Sequence, residues 1–92
     1  VTFPIPDSMT RDQVIAHFEA TMPGWAANPD LIRKNYLYDP ETRQGGGVYL
    51  WKTLAAAKAG HDATWCEKVR RIYGAAPSFA YFETPFVLDN TL

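Results

Sequence analysis

The sequence predicts a single α+β domain spanning residues 1–92, with elements in the order βαββαβ. Two observations carry this. Strand-like and helix-like patterns alternate along the chain, and only two segments are long enough to be helices. That order gives the ferredoxin-like arrangement, an antiparallel four-stranded sheet with two helices on one face. A third observation concerns the face left open. In the run Gly45-Gly46-Gly47-Val48-Tyr49-Leu50-Trp51-Lys52, the side chains after the glycines are large and apolar or aromatic. Strand side chains alternate between faces, so Val48 and Leu50 share one and Tyr49 and Trp51 the other. An exposed sheet in a small domain is polar on one side. This strand needs cover on both sides, and two helices cover one. The simplest cover for the other is a second copy of the chain, so a homodimer is expected.

Each element has its own signals. Val1 to Ile5 is a short β-type run, closed by Pro6-Asp7-Ser8. Thr10 with Gln13 three residues on forms a capping box. The helix that follows runs to about Met22, with Val14, Ile15, Phe18 and Met22 as its apolar stripe and Pro23-Gly24 as its end. Asn28-Pro29 marks a turn. Leu31–Tyr38 is the second strand and pairs as a hairpin with the third, Gly47–Lys52, across the polar residues 39–44. Thr53 caps a second helical segment through Ala59. Gly60 weakens it, Asp62 restarts it, and Gly74 stops it after Tyr73. Ser78–Glu83 is the fourth strand, apolar on both parities (Phe79 and Tyr81; Ala80 and Phe82), and Pro85 breaks it. Two such sheets packed face to face would bury both aromatic rows in a barrel-like core. Each buried Phe or Leu then contributes roughly 1.5–3 kcal/mol.

Composition narrows the function. A chain of 92 residues buries a thin core, which oligomerisation commonly supplements. The formal charge of −1, with acids and bases mixed, gives no footprint for nucleic acid and no polybasic membrane patch. The single cysteine, Cys66, forms no internal disulfide, and no metal-type Cys/His spacing occurs. No apolar run approaches membrane-spanning length and no signal peptide is visible, so a cytoplasmic protein is expected. The glycines do not make a phosphate loop, because a strand follows them rather than a lysine and a helix. A bulge or a close backbone approach is their expected use.

Leu31-Ile32-Arg33-Lys34-Asn35-Tyr36, then Gly46-Gly47-Val48-Tyr49-Leu50-Trp51, then an alanine-rich helix resemble the small monooxygenase-like proteins of the dimeric α+β-barrel superfamily. That superfamily includes the antibiotic biosynthesis monooxygenases, and the resemblance covers nearly the whole chain. It implies a dimeric α+β barrel with a ligand pocket inside each subunit, between sheet and helices. It also implies oxidation of phenols to quinones with no metal or flavin cofactor. A related branch degrades haem, and this chain departs from it. The first strand, Val1-Thr2-Phe3-Pro4-Ile5, lacks that branch's asparagine. Alignment on Trp51-Lys52-Thr53 puts Gly60 near its tryptophan and Arg70 at its iron-ligating histidine.

Several residues are candidates for chemistry. His61 and Trp65 stand four apart, on one face of a helix if Gly60 does not break it. A histidine beside an indole at a helix–sheet seam suits a base for a phenol at neutral pH. The plainer alternative is a solvated His61 at a helix junction and a core Trp65. Lys34 and Tyr36 share a strand face. In a pocket, Lys34 would stabilise a phenolate and Tyr36 would hydrogen-bond a ligand oxygen; otherwise they are an edge lysine and a core tyrosine. The other parity, Arg33 and Asn35, is also polar, so the inner face stays open. Tyr49 and Trp51 line either the pocket or the dimer seam, and the seam is the preferred use of two large aromatics. His17 lies at the edge of its stripe, where boundary histidines are usually structural or solvated, and Trp25 is either a pocket lid or a surface indole. The candidate catalytic set is His61, Lys34 and Tyr36; the candidate ligand-binding set is Trp65, His17, Trp51 and Trp25.

The expected function is a cofactor-independent monooxygenase acting on a small phenol- or quinol-like aromatic. The protein would supply a dry cavity, a base and donors to a developing oxyanion. The alternatives are a non-catalytic module for a small apolar ligand and an isomerase or dehalogenase-type enzyme on the same fold.

Overall fold

The computed structural model describes residues 1–91. Its elements are β1 (Thr2–Pro4), α1 (Arg11–Ala26), β2 (Leu31–Asp39), β3 (Gln44–Trp51), α2 (Leu54–Gly60) and α3 (Ala63–Tyr73). The sheet is antiparallel and three-stranded, in the order β1-β3-β2. This is an α+β fold in which the third strand of the chain is the central one.

The glycines explain why β3 can be central. A Cβ on Gly45 would sit 2.8 Å from Ile5 Cδ1, 3.1 Å from Phe3 Cε1 and 3.4 Å from Phe18 Cζ. At Gly46, φ is +155° and a Cβ would run into the Val1 carbonyl. Without side chains here, β1 and the ring of Phe18 close onto the sheet. Phe3, Ile5, Val14, Phe18, Val69 and Tyr73 form the core, with Tyr36, Tyr38 and Trp65 packed against it. The Phe3 and Tyr73 rings meet at 4.2 Å, a pairing that contributes ~0.5–1.5 kcal/mol beyond burial. Both α1 and α3 therefore cover one sheet face.

The caps hold as read. Thr10 Oγ1 accepts from the Gln13 N–H at 3.2 Å, and the Gln13 side chain accepts from the Thr10 N–H at 2.8 Å. Thr53 accepts from the Ala56 N–H, Asp62 from the Trp65 N–H, and Gly74 closes α3 at φ 82°. The hairpin turn is fastened elsewhere. Arg43, itself at φ 55°, donates to the Pro6 and Met9 carbonyls at 2.6 and 2.7 Å and to Tyr38 Oη at 3.3 Å. The turn between β2 and β3 is thereby tied to the connection between β1 and α1.

Three expectations need correction. First, α1 does not end at Met22. It runs through Pro23 and Gly24 to Ala26, and the Ala27 N–H donates to the Pro23 carbonyl. A proline in the last turn forfeits one hydrogen bond. Continuing the helix carries Trp25 onto the rings of Tyr49, Trp51, His61 and Trp65, an aromatic burial that offsets that loss. Second, residues 78–83 form no strand. Ser78 and Thr2 exchange two backbone bonds, at 3.0 and 2.7 Å, and the ladder stops there. The pairing is antiparallel, so the residues after Ser78 run toward Val1 and past the first residue of β1, Thr2. Beyond Ser78 the chain is irregular, with Phe82 85% and Phe86 90% exposed, and Asp89 paired with Arg33 at 3.1 Å. Third, Tyr49 and Trp51 do not sit on the open face. Lys34 pairs with Tyr49 and Tyr36 with Gly47, on the helix side. The open face carries Val48, 59% exposed, with Leu37, Leu50, Arg33 and Asn35.

Because Gly45 faces packed core, Gly45→Val should lower stability by ~1–3 kcal/mol, the range for overpacking. The measurement is the urea midpoint at unchanged slope. A midpoint equal to wild type would show that the core around Phe3 and Phe18 is looser than these distances.

Candidate functional site

The site grows from the register of β2 on β3. Lys34 stands opposite Tyr49, and Tyr36 stands opposite Gly47. A Cβ on Gly47 would lie 2.8 Å from Tyr49 Cε1 and 3.0 Å from Lys34 Cε. The missing side chain is the space into which the lysine stem and the Tyr49 ring fold. Lys34 Nζ then lies 3.8 Å from the centre of the Tyr36 ring, 4.6 Å from Tyr49 and 4.8 Å from Trp25. No carboxylate lies within ion-pair distance of it among the described residues. Burial draws its pKa down to about 7, while the ring faces favour the ammonium. Both forms are therefore accessible near neutrality.

Lys34, Tyr36, Tyr49, Trp25, Trp65 and His17 all line one cavity of about 450 Å³ between sheet and helices. That size is ordinary for a small-molecule site. Thr21, Lys68 and Tyr73 also line it. Thr21 Oγ1 donates to the Phe18 carbonyl at 2.8 Å and lies 2.7 Å from Tyr36 Oη. A hydroxyl has one proton to give. With Thr21's proton on Phe18, Tyr36 is the donor in the pair, and its remaining lone pairs can accept from a ligand. Tyr36 thus offers an acceptor to the cavity, able to take a hydrogen bond from a ligand hydroxyl. Burial raises Tyr49 well above the usual phenol range and Tyr73 to about 12, so both stay protonated.

His61 occupies the break between α2 and α3. Its N–H donates to the Ala57 carbonyl, and Asp62 caps the next helix, so two residues turn the chain and point the ring inward. It is 7% exposed, which corrects the solvated alternative. The rings of Tyr49 and Trp65 stand 4.4 and 4.6 Å away, with Trp51, Phe79 and Trp25 just beyond. Gly60 permits this, since a Cβ there would enter the Trp51 ring. Neither His61 Nδ1 nor Trp51 Nε1 has a hydrogen-bond partner among the described residues. Burial, helped by the positive charges at the Val1 amino group and Lys34, lowers the imidazole pKa to about 4. His61 and Trp51 are not among the cavity's lining residues. Both rings pack against Tyr49, and His61 also against Trp65, which do line it.

The structure thus gathers Lys34, Tyr36, Trp25, Trp65 and His17 at the cavity and leaves His61 and Trp51 outside its lining. Thr21, Lys68 and Tyr73 were not singled out from sequence. Helical spacing carried the signal: Thr21 is four residues after His17, and Lys68 and Tyr73 are three and eight after Trp65. No group of three or more His, Cys, Asp or Glu side chains that could hold a metal ion occurs among the described residues, and no described helix is long and apolar enough to cross a membrane. The chain matches no protein-family model, no curated protein and no solved structure.

The buried imidazole has a pH signature. The unfolded chain takes up a proton on His61 near 6.5, the folded chain only near 4. The stability contributed by the neutral ring is complete above 6.5 and is lost as pH falls through that interval. The urea midpoint of wild type should therefore fall between pH 6.5 and 4, and His61→Phe should lack that component. The same fall in both proteins would mean that His61 does not titrate as a buried group.

Proposed function

We propose that the chain is a cofactor-independent monooxygenase for a small phenol- or quinol-like aromatic, working as a homodimer of the dimeric α+β-barrel type. The observation that carries this reading is Lys34, a lysine near neutrality on the wall of an aromatic cavity. A neutral Lys34 Nζ takes the phenol proton, and the resulting ammonium holds the phenolate. The electron-rich ring then reduces molecular oxygen, forming a carbon–oxygen bond. Loss of water gives the quinone, so phenol and oxygen become quinone and water with all electrons drawn from the substrate. Tyr36 accepts from a ligand hydroxyl, and Trp25, Tyr49 and Trp65 hold the ring and keep out water. His61 is recast from base to wedge: neutral and buried, it fixes the rings of Tyr49 and Trp65.

Oxygen uptake with 1-naphthol and substituted hydroquinones tests the chemistry. Lys34→Met should lower turnover by ~10²–10⁴-fold, the usual range for a lost general base. His61→Phe should cost less. No uptake above the uncatalysed rate with any of them would refute the oxygenase. One observation favours a second reading, a non-catalytic binding module: the buried imidazole is not among the residues that line the cavity. Saturable binding without oxygen uptake would establish that reading.

The dimer rests on surfaces that one copy leaves uncovered. Ser78 bonds to the outer side of β1, where the fourth strand of a ferredoxin-like sheet belongs. Val48 and Leu37 are exposed on the open face, as are Phe82, Phe86 and Leu88 in the tail. A second copy covers this face and lets residues after Ser78 extend the sheet. Light scattering at micromolar concentration should give twice the chain mass of 10.4 kDa, and Val48→Asp should halve it. A monomeric wild type under those conditions excludes the dimer.

A further inference from the structure

We propose that the cavity's ligand carries a permanent carboxylate as well as its phenol, and that Lys68 receives it; this rests on reading the cavity as the substrate site. The residues of α3 that line the cavity are Trp65, Lys68, Val69, Ile72 and Tyr73. Their spacing is one continuous helical stripe. Four are apolar or aromatic, and Lys68 is the one charged member. Its basic neighbours are employed elsewhere: Arg70 and Arg71 both pair with Glu67. Lys68 pairs with no carboxylate among the described residues.

The cavity's charge is one-sided. Lys34, Lys68 and His17 are its ionisable nitrogen groups, and no aspartate or glutamate is among its lining residues. The chain holds 10 acidic residues against 9 basic ones, so this asymmetry is local. The two lysines sit differently. Lys34 is half-buried among ring faces on β2, whereas Lys68 is exposed on α3. A hydroxyaryl carboxylate matches this polarity. Its hydroxyl end reaches Lys34, where the proton is taken, its ring lies among Trp25, Tyr49 and Trp65, and its carboxylate meets the ammonium of Lys68. A neutral phenol would use the first part of the site and leave Lys68 idle.

Calorimetric titration with 6-hydroxy-2-naphthoate and its neutral isostere, 6-hydroxy-2-naphthamide, separates these cases. The carboxylate should bind the wild-type protein about two- to fivefold more tightly than the amide, the scale of an exposed ion pair. Lys68→Met should bring the ratio to about one, and Lys68→Arg should restore it. Lys34→Met should weaken both ligands and preserve the ratio. Equal affinities in wild type, a ratio that survives Lys68→Met, or no saturable binding of the naphthoate up to millimolar concentration would overturn the proposal. The readout is independent of oxygen chemistry. A preserved ratio without oxygen uptake supports the carboxylate site and removes only the oxygenase, whereas oxygen uptake with a ratio of one removes only the carboxylate.

Discussion

Everything in this molecule is arranged around a stretch of central strand with no side chains. Gly45, Gly46 and Gly47 face, in turn, the core, the backbone of Val1 and the lysine of the cavity. A sheet's middle strand ordinarily fills both faces, and glycine weakens a strand for want of packing. Here the empty positions are filled from elsewhere: by Phe3, Ile5 and Phe18 at Gly45, and by the stems of Lys34 and Tyr49 at Gly47. The first exchange makes the core and the last makes the site. The two are therefore physically continuous along one strand.

The site sets burial against ring electrostatics. Burial drives Lys34 toward the neutral amine, and the faces of Tyr36, Tyr49 and Trp25 draw it back toward the ammonium. A group balanced in this way exchanges its proton at little cost, which is what a base at neutral pH needs. His61 has only the first influence in strength. Enclosed by ring faces and edges with its Nδ1 unpartnered, it is held neutral well below the pH at which imidazole usually charges. The two groups thus differ in what opposes burial: three ring faces near the Lys34 ammonium, and no hydrogen-bond partner at His61 Nδ1.

Sequence patterns disclosed the α+β class, four of the six element positions closely, the helix caps and the close approach at the glycines; β3 begins at Gln44, three residues before the Gly47 start read from sequence. They did so because caps and glycine runs act locally. The facing of Tyr49 and Trp51 was not legible in the same way. Both parities of that strand are apolar, so alternation names the two sets and cannot say which is inside. The answer lay in long-range pairing, which puts Lys34 opposite Tyr49. The end of α1 was missed because Pro23-Gly24 is a strong local stop, overruled by the packing of Trp25 against four rings. The fourth strand failed for the converse reason: its own residues favour a strand, yet in antiparallel pairing they run past the first residue of β1. Lys34 and Tyr36 could be named as a pair from their spacing, but Lys68 could not, because a lone lysine on an amphipathic helix looks like any other solvated charge.

The clasp made by Arg43 bears on the order in which the molecule assembles. The hairpin of β2 and β3 closes over a short turn, whereas Arg43 reaches back 37 residues to Pro6 and 34 to Met9. Closing so long a loop costs chain entropy that only the completed contacts return. The hairpin is thus suited to form early and wait, with the arginine already displayed at its tip. Its donors meet the Met9 carbonyl and the Pro6 carbonyl, which also accepts from the Met9 N–H. The guanidinium thereby cross-links the hairpin tip to the connection between β1 and α1, at the end of the sheet where β1 stops.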